Sequence, residues 1–359
     1  MFYTIHYIRG IAALLVVLFH FREEINGVYS LKGLGDMLFI NGYVGVDLFF
    51  IISGFVIALS TKSDASIKTF ILKRFLRIYP VYFICVMLAV WVWGERINVA
   101  TIKSFLLVPL DFSKAAPWYG YSIIITAWTL TYEIVFYLVF AISMSISWKH
   151  RLLVSSFIIL MLNILFQLAF TNDVTLDPYK GLVLPADYPL MASYFINILS
   201  SPLMFEFVLG VLLYGMLESG GLALRINSSL VKLSFICSIT GMSIFFVFSK
   251  EGAHGVLNAG MYSFCLIATA ILYEQKCKVG FYRVLFWLGN ISYSLYLIHP
   301  VIVKSFAGKF ITFPLYYYSH GIINFVFLTI LSLFLATVLY YLIEKPSMLY
   351  ARKLSITKK

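Results

Sequence analysis

The sequence contains few charged residues. Asp, Glu, Lys and Arg make up 12% of its 359 residues, whereas soluble globular domains average roughly 25%. Hydrophobic residues account for 61%. A chain with so few charged and so many apolar side chains is not an ordinary soluble domain. Its composition predicts a polytopic membrane protein.

Cysteine is also scarce. The four cysteines, Cys85, Cys237, Cys265 and Cys277, lie mostly within apolar runs, with no CxxC pair and no Cys/His cluster. Their arrangement therefore indicates neither a disulfide framework nor a zinc site. We expect them to be packing thiols, and we predict no metal cofactor.

Long apolar segments dominate what is present. The first segment lacks a preceding basic region and a small-residue cleavage site, so we interpret it as a membrane span rather than a signal peptide. Windows of about 20 apolar residues predict an all-α bundle of about ten transmembrane helices. We place them near 5–21, 39–60, 75–93, 124–147, 152–170, 195–217, 231–249, 256–273, 284–304 and 321–343. One membrane domain then covers 1–345, followed by a short basic tail at 346–359.

The distribution of positive charge predicts the orientation of these spans. Lys and Arg concentrate in the connections on the side that holds both termini, which places both ends in the cytoplasm. The net charge of +11 is then largely an orientation signal and requires no nucleic acid. We expect the basic tail residues Arg352, Lys353, Lys358 and Lys359 to meet anionic membrane lipids.

The first span carries a cation and an imidazole, Arg9 and His20, in an otherwise apolar run. Eleven positions bring the second residue back to nearly the same helix face, roughly 16 Å further along the axis. Ionisable residues inside a membrane normally face a protein interior or a wet cavity. The spacing therefore predicts a tunnel with Arg9 near its mouth and His20 deep inside.

The second span contains a carboxylate, a hydroxyl and several glycines, in the run Gly45-Val46-Asp47-Leu48-Phe49-Phe50-Ile51-Ile52-Ser53-Gly54. Small residues allow close helix approach, so the glycines by themselves predict packing. Asp47 and Gly54 lie on nearly the same face. Asp47 is then either a structural partner of a cation or a functional group that meets Arg9, His20 or a substrate.

A basic run, Lys73-Arg74-Phe75-Leu76-Arg77, precedes the third span. Arg74 and Arg77 are three residues apart and share a helix face. One interpretation is an anchor for lipid headgroups at the cytoplasmic surface. The other is recognition of phosphate groups, because guanidinium groups offer paired donors that match phosphate oxygens.

Further ionisable residues occur in the later spans. The run Trp128-Thr129-Leu130-Thr131-Tyr132-Glu133 places a carboxylate inside span four, and we consider Glu133 as a group that orients His20. Glu206 has no comparable motif around it, and we expect a structural role. His299, near the end of span nine, is either a hydrogen-bonded structural group or part of the site. Glu344-Lys345-Pro346 resembles a helix terminus.

Two long connections lie on the predicted outer side, near 94–121 and 171–194. They carry several aromatic and acidic residues: Trp118, Tyr119, Tyr121, Tyr179, Tyr188, Asp173, Asp177 and Asp187. Aromatic residues near an interface commonly anchor helices at the level of the lipid headgroups. The alternative is a platform for a sugar ring.

Taken together, five motifs in this order resemble the acyltransferase-3 family of bacterial integral-membrane O-acyltransferases. They are the Arg9/His20 pair, the run from Gly45 to Gly54, the Arg74/Arg77 pair, the run from Trp128 to Glu133, and Ser292 to Pro300. The resemblance spans nearly the whole chain. It is greatest to members that acetylate exopolysaccharide or O-antigen sugars in the bacterial inner membrane.

The resemblance implies transfer of an acyl group, usually acetyl, from cytoplasmic acyl-CoA to a sugar hydroxyl of a polysaccharide or lipid-linked oligosaccharide. His20 would be the essential histidine, Arg9 its partner, and Arg74 with Arg77 the donor-binding pair, to which we add the neighbouring Lys73. Glu133 and Asp47 match family motif positions, and we assign them to catalysis with His20. Ser53, Trp128, Tyr132 and His299 are assigned to substrate binding.

Two mechanisms are compatible with these residues. His20 acts as a general base on the acceptor hydroxyl, or it forms a transient acyl-histidine. In either case Glu133 or Asp47 would fix the tautomer of His20, as the carboxylate does in a Ser-His-Asp triad. Ser53, Tyr132 and backbone groups are candidate oxyanion donors.

A secondary transporter or flippase is the main alternative class, since it also needs buried charges and a central cavity. Two inverted halves with matching interrupted helices would favour it. The unusual residues instead crowd into the first part of the chain. A membrane scaffold is a third possibility, but it explains neither the aligned Arg9 and His20 nor the phosphate-suited arginine pair. The sequence does not specify the oligomeric state.

Overall fold

The computed structural model describes residues 2–112, 114–182, 184–185, 188–220, 227–249 and 252–356, and these residues form helices and connecting loops without β-strands. Asp187, Lys358 and Lys359, which the sequence analysis singled out, lie outside the described residues. The predicted all-α fold is confirmed.

Fifteen α-helices occur in the described part of the chain. They are α1 (Tyr3–Phe21), α2 (Leu34–Phe39), α3 (Val44–Ser60), α4 (Ile67–Trp93), α5 (Val99–Phe105), α6 (Ala127–Ile146), α7 (Arg151–Thr171), α8 (Leu190–Ser200), α9 (Met204–Glu218), α10 (Ser228–Phe248), α11 (Ala259–Lys276), α12 (Arg283–Ala307), α13 (Pro314–Tyr318), α14 (Ile322–Leu339) and α15 (Lys345–Ile356).

Within the described ranges, eight helical segments are long and apolar enough to cross a membrane, and a ninth span results if α8 and α9, bent by 57°, cross together. The polytopic bundle is therefore confirmed. Every predicted span coincides with a helix, but α11 is less apolar than the others because its last turn contains Glu274 and Lys276. The Glu274 carboxylate accepts hydrogen bonds from the backbone N–H groups of Tyr3 and Thr4, so it caps the start of α1.

Glycines set the closest helix crossings around α3. A Cβ atom at Gly210 of α9 would lie 2.0 Å from the Ile51 carbonyl oxygen, and one at Gly54 would lie 2.1 Å from the Phe207 carbonyl oxygen. The backbones of α3 and α9 could not approach so closely if either glycine were replaced by a larger residue. The predicted close-packed seam along the second span is confirmed, with α9 as its partner.

The end of the last span differs from the prediction. The chain continues from α14 through a single π-helical turn, Tyr340–Glu344, into α15, so Glu344-Lys345-Pro346 does not terminate a helix. Glu344 is fully buried, and its carboxylate forms a salt bridge with Arg77 of α4. The first part of the predicted tail is therefore helical and packs against α4.

Candidate active site

A cavity lies between α1, α3, α4, α6 and α12 and has an empty volume of about 820 Å³, including the space at its opening. Its wall is mostly apolar and aromatic. Three guanidinium groups, those of Arg9, Arg74 and Arg77, line it together with the carboxylate of Glu133. The structure thus brings together cations from two separate motifs of the sequence.

Two of these guanidinium groups contact neutral partners. Arg9 Nη2 donates to the carbonyl oxygen of Gly289 at 2.7 Å, and Arg74 Nη2 donates to Ser60 Oγ at 3.0 Å. Among the described residues, neither forms a salt bridge, and neither Nε has a hydrogen-bond partner. Arg9 and Arg74 therefore offer donors and positive charge to an anion in the cavity.

Arg77 is held differently, although it shares a helix face with Arg74. It donates to the buried carboxylate of Glu344 and lies over the ring of Tyr293, 5.3 Å from its centroid. Ser294 Oγ donates to the other carboxylate oxygen of Glu344 at 2.5 Å. The charge of Arg77 is thus largely balanced inside the protein, in contrast to that of Arg74.

Lys73 does not line the cavity. Its Nζ donates to Asp64 at 3.2 Å in a partly exposed ion pair. The prediction that Lys73 belongs to the donor-binding group is not supported by this position, because a lysine next to an arginine on a helix points to a different face.

Glu133 lies on the cavity wall with Ser53. Its Oε1 accepts hydrogen bonds from Ser53 Oγ at 2.7 Å and from the Tyr137 hydroxyl. Two hydroxyl groups thus fix one carboxylate oxygen. The sequence analysis placed Ser53 and Glu133 in the same site, and the structure brings them into direct contact.

His20 lies deeper along α1 and contacts a second histidine. Its Nδ1 is 2.8 Å from the Val16 carbonyl oxygen and 3.3 Å from Nε2 of His299, and Nδ1 of His299 is 3.0 Å from the Leu295 carbonyl oxygen. A carbonyl oxygen only accepts, so each Nδ1 carries the proton. His299 Nε2 then accepts from His20, and the lone pair of His20 is on Nε2. As the spacing predicts, Arg9 and His20 face the same helix, α12.

The prediction that Glu133 or Asp47 is the hydrogen-bond partner of His20 is wrong. Among the described residues its ring-nitrogen contacts are to Val16 and His299, whereas Glu133 bonds to Ser53 and Tyr137, and Asp47 is held elsewhere. A triad-like carboxylate is therefore replaced by a neutral imidazole.

The predicted open passage to His20 is also absent from this conformation. Neither His20 nor His299 lines the cavity, whereas Phe49 and Tyr296 do. The ring of Tyr296 packs edge-on against Phe49 at 5.5 Å and lies 6.0 Å from the His299 ring. Its hydroxyl is 2.9 Å from Thr129 Oγ1. Tyr296 therefore contacts both the cavity and the ring of His299.

Asp47 is fully buried and anchors a loop. Its Oδ2 is 2.7 Å from Nδ1 of His254, and its Oδ1 accepts the backbone N–H of Gly255 at 2.9 Å. Of the two roles considered for Asp47, the structural one matches these contacts. No sequence pattern pointed to His254 as its partner, since the two residues are 207 positions apart in the chain.

The remaining sequence-predicted residues lie outside the cavity. Tyr132 is fully buried, and its hydroxyl donates to the Pro117 carbonyl oxygen at 3.0 Å, so it does not reach the site as an oxyanion donor. Trp128 packs edge-on against the ring of His254 at 5.7 Å. Glu206 is fully buried near Asp47, and neither of its carboxyl oxygens has a hydrogen-bond partner in the described part of the chain, so its expected structural role stays a prediction.

Sequence reasoning missed several residues of the cavity: Tyr137, Tyr293 and Tyr296 line it, and Glu344 supports it from behind. Tyr293 and Tyr296 lie inside the Ser292 to Pro300 motif, which was the available signal. Tyr137 follows Glu133 by one helical turn, the spacing at which side chains on a helix meet.

The described chain is thus a helical membrane bundle with an arginine-lined cavity and a buried histidine pair. The family model described as "Acyltransferase domain" matches residues 2–341. The chain therefore belongs to the acyltransferase-3 family and is a multi-pass membrane acyltransferase. The resemblance seen in the sequence is confirmed.

A curated relative is similar over much of the chain. The exopolysaccharide production protein ExoZ of Rhizobium meliloti (strain 1021) is 29% identical over 276 residues, which are 75% of this chain and 79% of the relative. No solved structure matches the chain.

Proposed function

We propose that this acyltransferase transfers an acetyl group from cytoplasmic acetyl-CoA to a sugar hydroxyl of an exopolysaccharide or its lipid-linked precursor in the bacterial inner membrane. The observation that carries the proposal is the cavity with two guanidinium groups, Arg9 and Arg74, that form no salt bridge within the described part of the chain. The similarity to an exopolysaccharide production protein supports the acceptor class.

The donor's chemistry fits this cavity. Acyl-CoA has a polyanionic head on a long, thin arm that ends in a thioester. Arg74 lies near the start of α4 beside Ser60 at the end of α3, and Arg9 lies in the first half of α1. We propose that this end of the bundle faces the cytoplasm, that the guanidinium groups bind the phosphates, and that the arm follows the apolar wall.

In the proposed reaction, Nε2 of His20 removes the proton from the acceptor hydroxyl, and the hydroxyl oxygen attacks the thioester carbonyl. The carbon–sulfur bond breaks, the acetyl ester forms, and the CoA thiolate takes up the proton. Nδ1–H of His20 donates to Val16 and His299, so the reactive nitrogen is fixed. For the thioester to reach Nε2, the rings of Tyr296 and Phe49 must move apart.

Glu133 takes a different role in this scheme from the one suggested by the sequence. Its carboxylate lies on the cavity wall and is held by Ser53 and Tyr137, away from His20. We propose that it accepts hydrogen bonds from amide N–H groups along the CoA arm, since carboxyl oxygens are hydrogen-bond acceptors.

The experiment is an assay with labelled acetyl-CoA and the purified protein in lipid vesicles, supplied with polysaccharide from the source strain. We expect His20→Ala to abolish label transfer while the protein stays folded, and Arg74→Ala to weaken acetyl-CoA binding. Lys73→Ala is the matched control, because Lys73 adjoins Arg74 in sequence but lies outside the cavity.

Wild-type transfer by His20→Ala would reject the assignment of the base. Equal loss of acetyl-CoA binding in Lys73→Ala and Arg74→Ala would reject the cavity as the donor site. Movement of unmodified glycan across the vesicle membrane without label transfer would instead favour a transporter.

A further inference from the structure

A second cavity lies between the loops that connect α5 to α6 and α7 to α8, and we call it the loop groove. Its empty volume is about 1360 Å³, including its opening. Its polar and aromatic lining residues include Lys103, Asp111, Tyr119, Tyr179, Tyr188 and Asn197. None of these residues lines the arginine cavity, so the loop groove is a separate site.

Asn197, which lines the loop groove, has an unsatisfied hydrogen-bond acceptor. The side chain is only 1% exposed, and its Nδ2 donates to the Ser193 carbonyl oxygen at 2.9 Å. Its Oδ1 has no hydrogen-bond partner in the described part of the chain. Buried polar atoms without partners are rare because they are costly, so a ligand with hydroxyl donors would complete this site.

Two partly exposed tyrosines supply flat surfaces in the same groove. Tyr179 is 36% exposed and Tyr188 is 37% exposed. Tyr179 is held from behind, because its ring stacks on that of His254 at 6.4 Å and packs edge-on against Trp118 at 5.6 Å. Burial also raises the pKa of its hydroxyl, which therefore remains protonated at neutral pH.

The contacts of the aromatic residues in these loops argue against lipid-headgroup anchoring as their main role. Tyr119 is 2% exposed, and its hydroxyl lies 3.4 Å from the Asn197 carbonyl oxygen, so it cannot contact lipid. Trp118 stacks on Tyr121 within the loop. Three of the loop tyrosines, Tyr119, Tyr179 and Tyr188, line the loop groove, and Trp118 packs against Tyr179.

The loop groove lies at the end of the bundle that holds His20. His254, behind Tyr179, packs edge-on against Tyr43 at 5.0 Å, and Phe19 lies between Tyr43 and His20, with ring separations of 6.3 and 5.0 Å. Asp47 fixes His254 in this row. A glycan bound in the groove would thus be supported by the same elements that surround the proposed base.

We propose that the loop groove binds a pyranose residue of the acceptor glycan. The C–H face of the sugar packs on Tyr179 or Tyr188, and a sugar hydroxyl donates to Oδ1 of Asn197. This inference rests on the proposed function, and it places donor and acceptor in two separate cavities on either side of the histidine pair.

The test combines glycan binding with steady-state kinetics. The probes are oligosaccharides released from the source strain's polysaccharide, and their binding to the full-length protein in vesicles is followed by calorimetry without acetyl-CoA. We expect Tyr188→Ala and Asn197→Leu each to weaken binding, and to raise the half-saturating acceptor concentration, by roughly five- to tenfold. The half-saturating acetyl-CoA concentration should stay at the wild-type value.

Two controls make the result specific. Tyr317→Ala removes a tyrosine that is 60% exposed in α13, outside the groove, and should bind the oligosaccharides as the wild type does. Asn197→Asp keeps an acceptor oxygen and should bind better than Asn197→Leu.

The proposal is overturned if the groove variants bind like the Tyr317 control, or if glycan-free lipid fills the groove and the oligosaccharides do not displace it. Failure of the proposed function has another signature: oligosaccharides bind in the groove, but the wild type transfers no label from acetyl-CoA.

Discussion

The contact between His20 and His299 leads to a quantitative prediction. When His20 takes a proton at Nε2, the positive charge spreads over the ring, and His299 Nε2, 3.3 Å from Nδ1, becomes the acceptor of a charge-assisted hydrogen bond. Such bonds contribute about 1.5–3 kcal/mol. Replacing His299 by Phe keeps an aromatic ring in the buried position and removes this acceptor.

We therefore expect His299→Phe to lower the rate of acetyl transfer roughly 10- to 150-fold, since each 1.36 kcal/mol corresponds to about a tenfold change in rate. Val16 still accepts from Nδ1, so some activity remains, in contrast to His20→Ala. Acetyl-CoA binding should not change, because His299 does not line the arginine cavity.

The assay is single-turnover transfer of labelled acetyl at saturating acetyl-CoA, with thermal unfolding as a check on folding. His299→Gln is the matched variant: its amide oxygen can accept from His20, so we expect a rate between those of the wild type and His299→Phe. A wild-type rate in His299→Phe, or a loss confined to acetyl-CoA affinity, would refute the assigned contact role.

Three further predictions follow from other contacts. Arg77→Ala leaves Glu344 buried without its cation, so we expect the free energy of unfolding to fall by about 3–5 kcal/mol. Adding Glu344→Gln should restore part of this loss. Thermal unfolding of Arg77→Ala at the wild-type temperature would contradict the prediction. Val56→Trp fills the arginine cavity and should block acetyl-CoA binding, whereas Leu153→Trp, at a position that is 68% exposed, should not; binding retained by the first variant argues against the cavity as the donor site. Asp47→Asn should increase hydrogen exchange in the loop before α11 and weaken glycan binding at normal acetyl-CoA affinity; reduced acetyl-CoA affinity would contradict the role of Asp47 as an anchor of this loop.

The all-helical membrane fold was predictable because apolar length is a local property of the chain. A segment of about 20 apolar residues must satisfy its backbone within a helix in a bilayer. The ten predicted segments all coincide with helices. The prediction of a helix end at Glu344 was wrong, and the partner of Glu344, Arg77, is distant in the sequence.

The sequence by itself determined which residues share a helix face. Helical periodicity placed Arg9 with His20 and Arg74 with Arg77, and small residues along the second span indicated a tight crossing. These properties involve residues within one or a few turns of the same helix, so the spacing of residues in the sequence is enough to predict them.

Only the tertiary structure decided which side chains meet across helices. It paired His20 with His299 instead of a carboxylate, gave Asp47 to His254, and balanced the charge of Arg77 but not that of Arg74. Hydrogen bonds and ion pairs depend on ångström-scale distances between residues that are far apart in the chain, such as His20 and His299, which are separated by 279 positions. Periodicity along one helix carries no information about such distances.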